Sequence, residues 1–354
     1  VSGSSATGPA RRERRRRRAP LRGQTFAAID LGTNNCRLLI ARPARRGFRV
    51  IDSFSRIVRL GEGVSRSGEL SEAAILRTME ALKICAEKMA RRGVTHARCV
   101  ATDACRRAAN HSHFVERVRR DIGLQLEVIG TDEEARLALH GCLPLFSPEQ
   151  RHALLFDIGG GSTEVSWVAL PEKRNRQGGG RPEIVDWHSL PYGVVNLAER
   201  YCDGPVSFED YERMAAEIAQ NLVDFEQRNG ISGRVEAGEV QMLGTSGTVT
   251  TLAGVHQELP RYQRQLVDGY RIDFDSLERA ILKVAEMSLE ERAAHPCIGP
   301  ERADLMLAGC AILQGICRSW PVGRLRVADR GLREGILLGL MSQARAERHR
   351  AAVQ

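Results

Sequence analysis

The chain has 354 residues, 42% hydrophobic and 5% aromatic, with a formal net charge of +8. That length allows two α/β domains of ordinary size, each with its own core. No apolar run reaches the ~18 residues of a membrane span, so no membrane partner is expected. The basic N-terminus has no apolar stretch after it and does not read as a secretory signal.

The charge is uneven. Arg11, Arg12, Arg14 to Arg18 and Arg22, against the single Glu13, leave the remaining body almost neutral. Residues 1–24 read as a disordered, solvated Arg-rich tail, with contact to RNA or another polyanion as the alternative. The nine cysteines form no C-x-x-C pair and mostly sit in apolar runs. They read as reduced, buried thiols, not as a disulfide framework or a zinc site.

In chain order, residues 25–41 and 48–59 read as strands joined by a polar turn. Ser71 is expected to cap a helix through Met89, with Ile75, Met79, Leu82, Ala86 and Met89 on one face and Gly93 beyond its end. A short strand at 97–102 precedes a helix capped by Ser112 and ending near Gly123. A strand at 124–129 leads into a helix at 132–141. The pattern restarts at Ala153, with strands to Val168 and over 184–190. Helices are expected over 207–227, 249–256, 275–287, 301–317 and 331–345. Residues 173–182, with three glycines among charges, read as a flexible hairpin connection. Alternating strands and helices give an α/β class. A break at 144–151 divides the body into domains at 25–145 and 146–345, with 346–354 as a C-terminal tail.

Two segments carry the functional signal. FAAIDLGTNNCRLLIA begins at Phe26 and ALLFDIGGGSTEVSWV at Ala153. Aligned on Asp30 and Asp157, each is an apolar run, an aspartate, a turn of Gly or small polar residues, and a second apolar run. Such an internal repeat points to a duplicated domain, with the two turns facing each other across a cleft as two jaws of a phosphate site. Gly159, Gly160 and Gly161 allow a row of backbone N–H groups to cradle an anion, and Ser162 and Thr163 add hydroxyls. Asp157 and Glu164 are hard oxygen ligands suited to Mg²⁺. In the first copy Gly32, Thr33, Asn34 and Asn35 supply donors behind Asp30. For each turn the plainer alternative is an ordinary tight turn.

Glu134 has two readings, and both stay open. Thr131-Asp132-Glu133-Glu134 fits a capping box, yet a carboxylate near bound phosphate can also deprotonate an attacking water. Arg106 or Arg107 could hold a phosphate oxygen. Gly244, Thr245, Ser246, Gly247 and Thr248 lie between an apolar run and the helix expected from Val249, the setting in which helix N–H groups meet phosphate; simple capping is the alternative. The nine histidines show no metal-ligand spacing.

Together these residues resemble the exopolyphosphatase/guanosine pentaphosphatase (Ppx/GppA) family. The resemblance runs from about Thr25 to Met341. It is carried by Asp30-Leu31-Gly32-Thr33-Asn34, residues 101–106, Glu133-Glu134-Ala135-Arg136, residues 157–164, Leu190-Pro191-Tyr192-Gly193, residues 244–248, Arg302-Ala303-Asp304 and residues 331–335. It implies an actin-like, ribonuclease-H-like fold of two similar domains around a cleft. It also implies a bacterial, cytoplasmic, Mg²⁺-dependent hydrolase, with Mn²⁺ as a substitute metal. The substrate would be inorganic polyphosphate or guanosine pentaphosphate/tetraphosphate, and a homodimer is an expected assembly. By motif match, Glu134 is the catalytic base and Asp157 and Glu164 are metal-site acids, with Asp30 as a further ligand. Asn34, Arg106, Ser162 and the glycine turn are phosphate contacts. Thr33 and Asn35 stand where the family usually shows Ser, an expected tuning. The chain ends soon after Arg333-Glu334-Gly335, where long members continue into a helical region of the HD type, so the short form is expected. A sugar or acetate kinase of the same fold class, and a sensor that binds such anions without turnover, are the rival functions.

Overall fold

The computed structural model describes residues 23–45, 47–171, 180–202, 204 and 206–351. The Arg-rich tail and most of the connection at 173–182 lie outside the described residues.

Two sheets organise the protein. Strands β1 (Phe26–Leu31), β2 (Asn35–Pro43), β3 (Phe48–Ile57), β4 (His96–Ala101) and β5 (Leu126–Val128) form the first, in the order β3-β2-β1-β4-β5. The β1–β2 and β2–β3 pairs are antiparallel, and the β1–β4 and β4–β5 pairs are parallel. The second sheet contains β6 (His152–Ile158), β7 (Thr163–Ala169), β8 (Glu183–Leu190), β9 (Val240–Thr245), β10 (Arg271–Asp273) and β11 (Arg324–Ala328). Its order is β10-β11-β9-β6-β7-β8. Read as β8-β7-β6-β9-β11, it repeats the first sheet strand for strand and direction for direction. β10 is an addition on the outer side of β11. The repeat expected from the two aspartate turns is therefore present at the level of topology, and the protein has the two-domain α/β, actin-like fold.

Helices cover the sheets because their apolar stripes have the helical period. Helix α1 (Glu72–Arg91) begins where Ser71 Oγ accepts from Ala74 N at 3.3 Å. It buries Ile75, Met79, Leu82 and Met89 against the first sheet, each worth about 1.5–3 kcal/mol relative to exposure. The next two caps differ from expectation. Helix α2 (Asp103–Arg107) is followed by α3 (His111–Ile122), whose N-cap is Asn110, so Ser112 lies inside its first turn. Helix α4 (Thr131–Cys142) has Gly130 as N-cap and no side-chain cap. The capping box does not form, because Glu134 turns elsewhere. The expected helix at 207–227 is divided near Leu222.

The domain boundary also differs. The sequence places residues 331–345 in the second domain and 346–354 in a tail. Instead, α5 (Leu332–Ala351) is one helix that returns to the first sheet. Leu332, Ile336, Leu337, Met341 and Ala344 pack with Phe26, Ala28, Leu39, Ala41 and Val100. It crosses α4 at backbone contact: a methyl on Gly141 would strike the Gly331 carbonyl, and one on Gly335 would strike the Leu137 carbonyl. The apolar face of α5 thus ties the end of the second domain to the first, and no polar linker signal marks this in the sequence.

Candidate active site

Both aspartate turns lie at the ends of β1 and β6, and their hydrogen bonding matches. Gly32 N donates to Asn35 O at 2.9 Å, and Gly159 N donates to Ser162 O at 2.9 Å. Register then separates the copies. Asp30 pairs with Arg37 across β1–β2, whereas Asp157 pairs with Glu164 across β6–β7. Directly opposite residues share a sheet face, so the first jaw sets a cation beside its aspartate and the second sets another acid.

The jaws meet. A methyl on Gly160 would stand 2.9 Å from Thr33 Cβ and 3.0 Å from Asn34 N, and one on Gly161 would strike Asp103 Oδ2. The carbonyls of the glycine turn face the protein. Val194 N donates to Gly159 O at 3.0 Å, Val195 N to Gly160 O at 2.8 Å, and Asn196 Nδ2 to Gly161 O at 2.8 Å. Among the described residues, the N–H groups of Gly160 and Gly161 have no backbone acceptor, which is the arrangement an oxyanion cradle needs.

A third wall is the start of α6 (Gly247–His256), where Ser246 takes the strained φ of 145° and its Oγ accepts from Val249 N at 3.2 Å. Such strain in a non-glycine residue is typical of functional sites, and the helix start, where N–H groups lack intrahelical partners, lines the cleft through Ser246, Gly247 and Thr248.

These elements enclose a narrow cavity of about 110 Å³ and, beside it, a wide one of about 590 Å³. Asp30, Gly32, Thr33, Asn34, Glu134, Asp157, the three glycines, Ser162, Glu164, Ser246 and Gly247 line the narrow cavity. Thr245 lines the wide one and donates to Arg330 O at 3.0 Å. Three residues expected at the phosphate lie behind the walls. Gly244 is packed against the Phe156 ring, where a side chain would clash. Thr163 donates to Tyr192 O at 2.7 Å. Arg106 stands behind Glu134, donating from Nη1 to Glu134 Oε2 at 2.6 Å and to Ile129 O at 3.1 Å.

Four carboxylates at the cleft floor hold protons unusually well. Burial raises Glu134 well above the usual range, and Glu164 adds to this while Arg106 opposes it. Burial raises Asp157 to about 6, with Asp30 adding and Arg37 opposing. Burial also raises Glu164 to about 7, although Ser162 Oγ donates to it at 2.6 Å and Ser189 Oγ at 3.1 Å. Asp30 is raised by burial, against the pull of Arg37 and Arg333. Ser162 therefore spends its hydroxyl on Glu164. Among the described residues no three His, Cys, Asp or Glu gather closely enough to hold a metal alone. A Mg²⁺ ion fits nonetheless, since it commonly takes one or two carboxylates and completes its shell with phosphate oxygens and water. A buried Asp157–Glu164 pair of raised proton affinity is a donor set that a cation relieves.

Among the lining residues, the sequence does not single out Arg37, and it gives no individual role to Asp103 or Arg333, although both lie in motifs that carry the resemblance. Arg37 was legible, as a lone charge in the apolar run after the first turn. Arg37, Arg302 and Arg333 line the cavities, and none has an ion-pair partner among the described residues. Burial lowers the proton affinity of Arg302 and of Arg333.

Comparison with known proteins identifies the family. The model of the Ppx/GppA phosphatase family matches residues 39–344. A relative described as exopolyphosphatase 2 of Mycobacterium tuberculosis is 29% identical over 333 residues, covering 89% of this chain and 98% of the relative. The crystal structure of an Aquifex aeolicus Ppx/GppA family member superposes with a TM-score of 0.72 at 29% identity, covering 91% of this chain and 98% of that one. An exopolyphosphatase structure from Cytophaga hutchinsonii shares the fold, with a TM-score of 0.79 at 24% identity over 90% of this chain and 98% of that one. With a family match across most of its length and the repeated aspartate turns closing on one cleft, this chain belongs to the Ppx/GppA phosphatase family.

Proposed function

We propose that the protein releases the terminal phosphate of short-chain inorganic polyphosphate, using Glu134 as general base and a divalent metal, Mg²⁺ or Mn²⁺. Family membership makes it a hydrolase of phosphoric anhydrides. The observation that carries the finer reading is the position of Glu134: on the cavity wall, largely buried, and held by Arg106 from behind.

In this reading the terminal phosphate lies between the glycine turn and the start of α6, where backbone N–H groups hold its oxygens. Arg37 and Arg302 take charge from the following phosphates. Glu134 orients a water and accepts its proton as the water oxygen attacks phosphorus. The bond from phosphorus to the bridging oxygen breaks, and the shortened chain leaves with that oxygen. Bound metal, held by Asp157 and Glu164, with Asp30 as a further ligand, would neutralise phosphate oxygens. Positioning and charge stabilisation supply most of the rate in such transfers.

A second reading, removal of the 5′ terminal phosphate of guanosine pentaphosphate, is supported by the wide cavity, whose ~590 Å³ suits a nucleoside-sized ligand. A substrate panel of tripolyphosphate, longer polyphosphate and guanosine pentaphosphate, read by phosphate release, separates the two. Acceptor phosphorylation without free phosphate would favour a kinase, and binding without turnover a sensor.

A further inference from the structure

A third cavity, of about 440 Å³, lies at the opposite end of the second sheet, where β9 and β11 begin. The strands span roughly 17–20 Å at ~3.3 Å per residue, so this cavity is remote from the cleft. Its charge is arranged against ordinary sheet energetics. Arg271 and Arg326 are direct cross-strand partners on β10 and β11, and Arg324 follows on the same face two residues away. Like charges placed directly opposite destabilise a sheet.

No carboxylate pairs with them directly. None of the three arginines has an ion-pair partner among the described residues. Asp273 lies opposite Arg324, but its carboxylate accepts from Ser276 N at 2.8 Å and from Ser276 Oγ at 3.0 Å. Asp268, whose charge acts on Arg326, is paired with Arg330. Glu149 on the rim is the one acid lining the cavity. Arg326 is fixed in place, donating from Nη1 to Leu145 O, while its Nε is buried with no acceptor. The opposite wall is the connection between the domains, where Ser147 exchanges two hydrogen bonds with the Gln241 amide at 2.8 and 3.2 Å.

We infer that this cavity is a second anion site, independent of the cleft, that binds a multivalent phosphate-bearing anion between Arg271, Arg324 and Arg326. Guanidinium forks match phosphate oxygens bidentately, and a bridging anion converts the repulsive cross-strand pair into two attractive contacts.

The test uses the full chain and sodium tripolyphosphate in the presence of chelator, read by thermal unfolding. Ligands that bind only the folded state raise the melting temperature. The comparison is between wild type and Arg271→Gln/Arg324→Gln, with residues 1–24 present in both. Both substituted side chains are exposed, and without tripolyphosphate the variant is expected to melt no lower than wild type, since repulsion is relieved. With tripolyphosphate, the melting rise is expected to fall by at least half, while phosphate release, assayed separately with Mg²⁺, is unchanged. Should the cleft bind no polyphosphate, the rise is lost entirely in the variant, so failure of the functional reading looks different. An undiminished rise in the double variant, and in Arg324→Gln alone, overturns the site.

Discussion

Arg106 Nη1 donates to Glu134 Oε2 at 2.6 Å, joining the helix after β4 to the helix after β5. Burial and Glu164 push Glu134 toward its protonated form, and Arg106 opposes them. If Glu134 is the base, as proposed, it must be ionised to act, so activity is expected to fall as pH drops through its raised pKa. Arg106→Ala removes the opposing charge and moves the acid limb of the kcat profile upward, by about one pH unit or more. Arg106→Lys restores part of the shift. An unmoved acid limb in Arg106→Ala would show that the pair does not govern the base.

The contact between the jaws predicts a steric effect on catalysis. Gly160→Ala places a methyl 2.9 Å from Thr33 Cβ and 3.0 Å from Asn34 N, so the turns must separate. We expect kcat/KM to fall about tenfold or more, equivalent to ~1.4 kcal/mol. Gly193→Ala instead strikes the Gly160–Gly161 peptide and should cost about 1–3 kcal/mol of stability. Steady-state kinetics and denaturant unfolding of the two variants check this division.

Stability should depend on pH through the same acids. Asp157 and Glu164 hold protons more tightly folded than unfolded, near 6 and 7. Their contribution is full below the unfolded values, about 4, and is lost as pH rises through 6 and 7. Desolvation lowers the exposed His140 and the half-buried His152 and His188, which act in the opposite sense, so a difference measurement is needed. Glu164→Gln lacks one titration. In metal-free buffer its melting temperature should gain on wild type by a few degrees between pH 5.5 and 8. A constant difference across that range would remove Glu164 from the ionisation.

The proposed metal site rests on the same pair. Chelation is expected to abolish phosphate release, and Mg²⁺ or Mn²⁺ to restore it. Glu164→Gln should require at least tenfold more metal for half-maximal rate. Added Mg²⁺ should raise the wild-type melting temperature more at pH 8 than at pH 5.5, because protons compete with the metal. Equal effects at both pH values would argue against carboxylate ligation.

Much of this arrangement was legible in the sequence because it rests on local patterns. The two aspartate turns carry their own strands, and their alignment anticipates both sheets. Ser71 and the stripe behind it specify α1 with no reference to the rest of the chain. What escaped depends on distant partners. Thr131 and Glu134 have the spacing of a capping box, yet the helix starts at Gly130 because Arg106, 28 residues away, offers Glu134 a charged partner. Gly244 reads like the rest of its small-residue turn until the Phe156 ring is seen against it. Arg37 equals Glu164 in repeat position, and only strand register reveals that the copies differ there in charge. The return of α5 to the first sheet depends on an apolar face that periodicity detects but cannot assign to a sheet.

Phosphate release from tripolyphosphate by wild type and Glu134→Gln, at saturating Mg²⁺ and pH 8, bears most directly on the proposed chemistry. General-base catalysis contributes roughly 10²–10⁴-fold, so kcat should fall by at least about a hundredfold in the variant, while its melting temperature and tripolyphosphate affinity stay near wild type. A Glu134→Gln protein that hydrolyses tripolyphosphate at the wild-type rate would remove Glu134 from the mechanism.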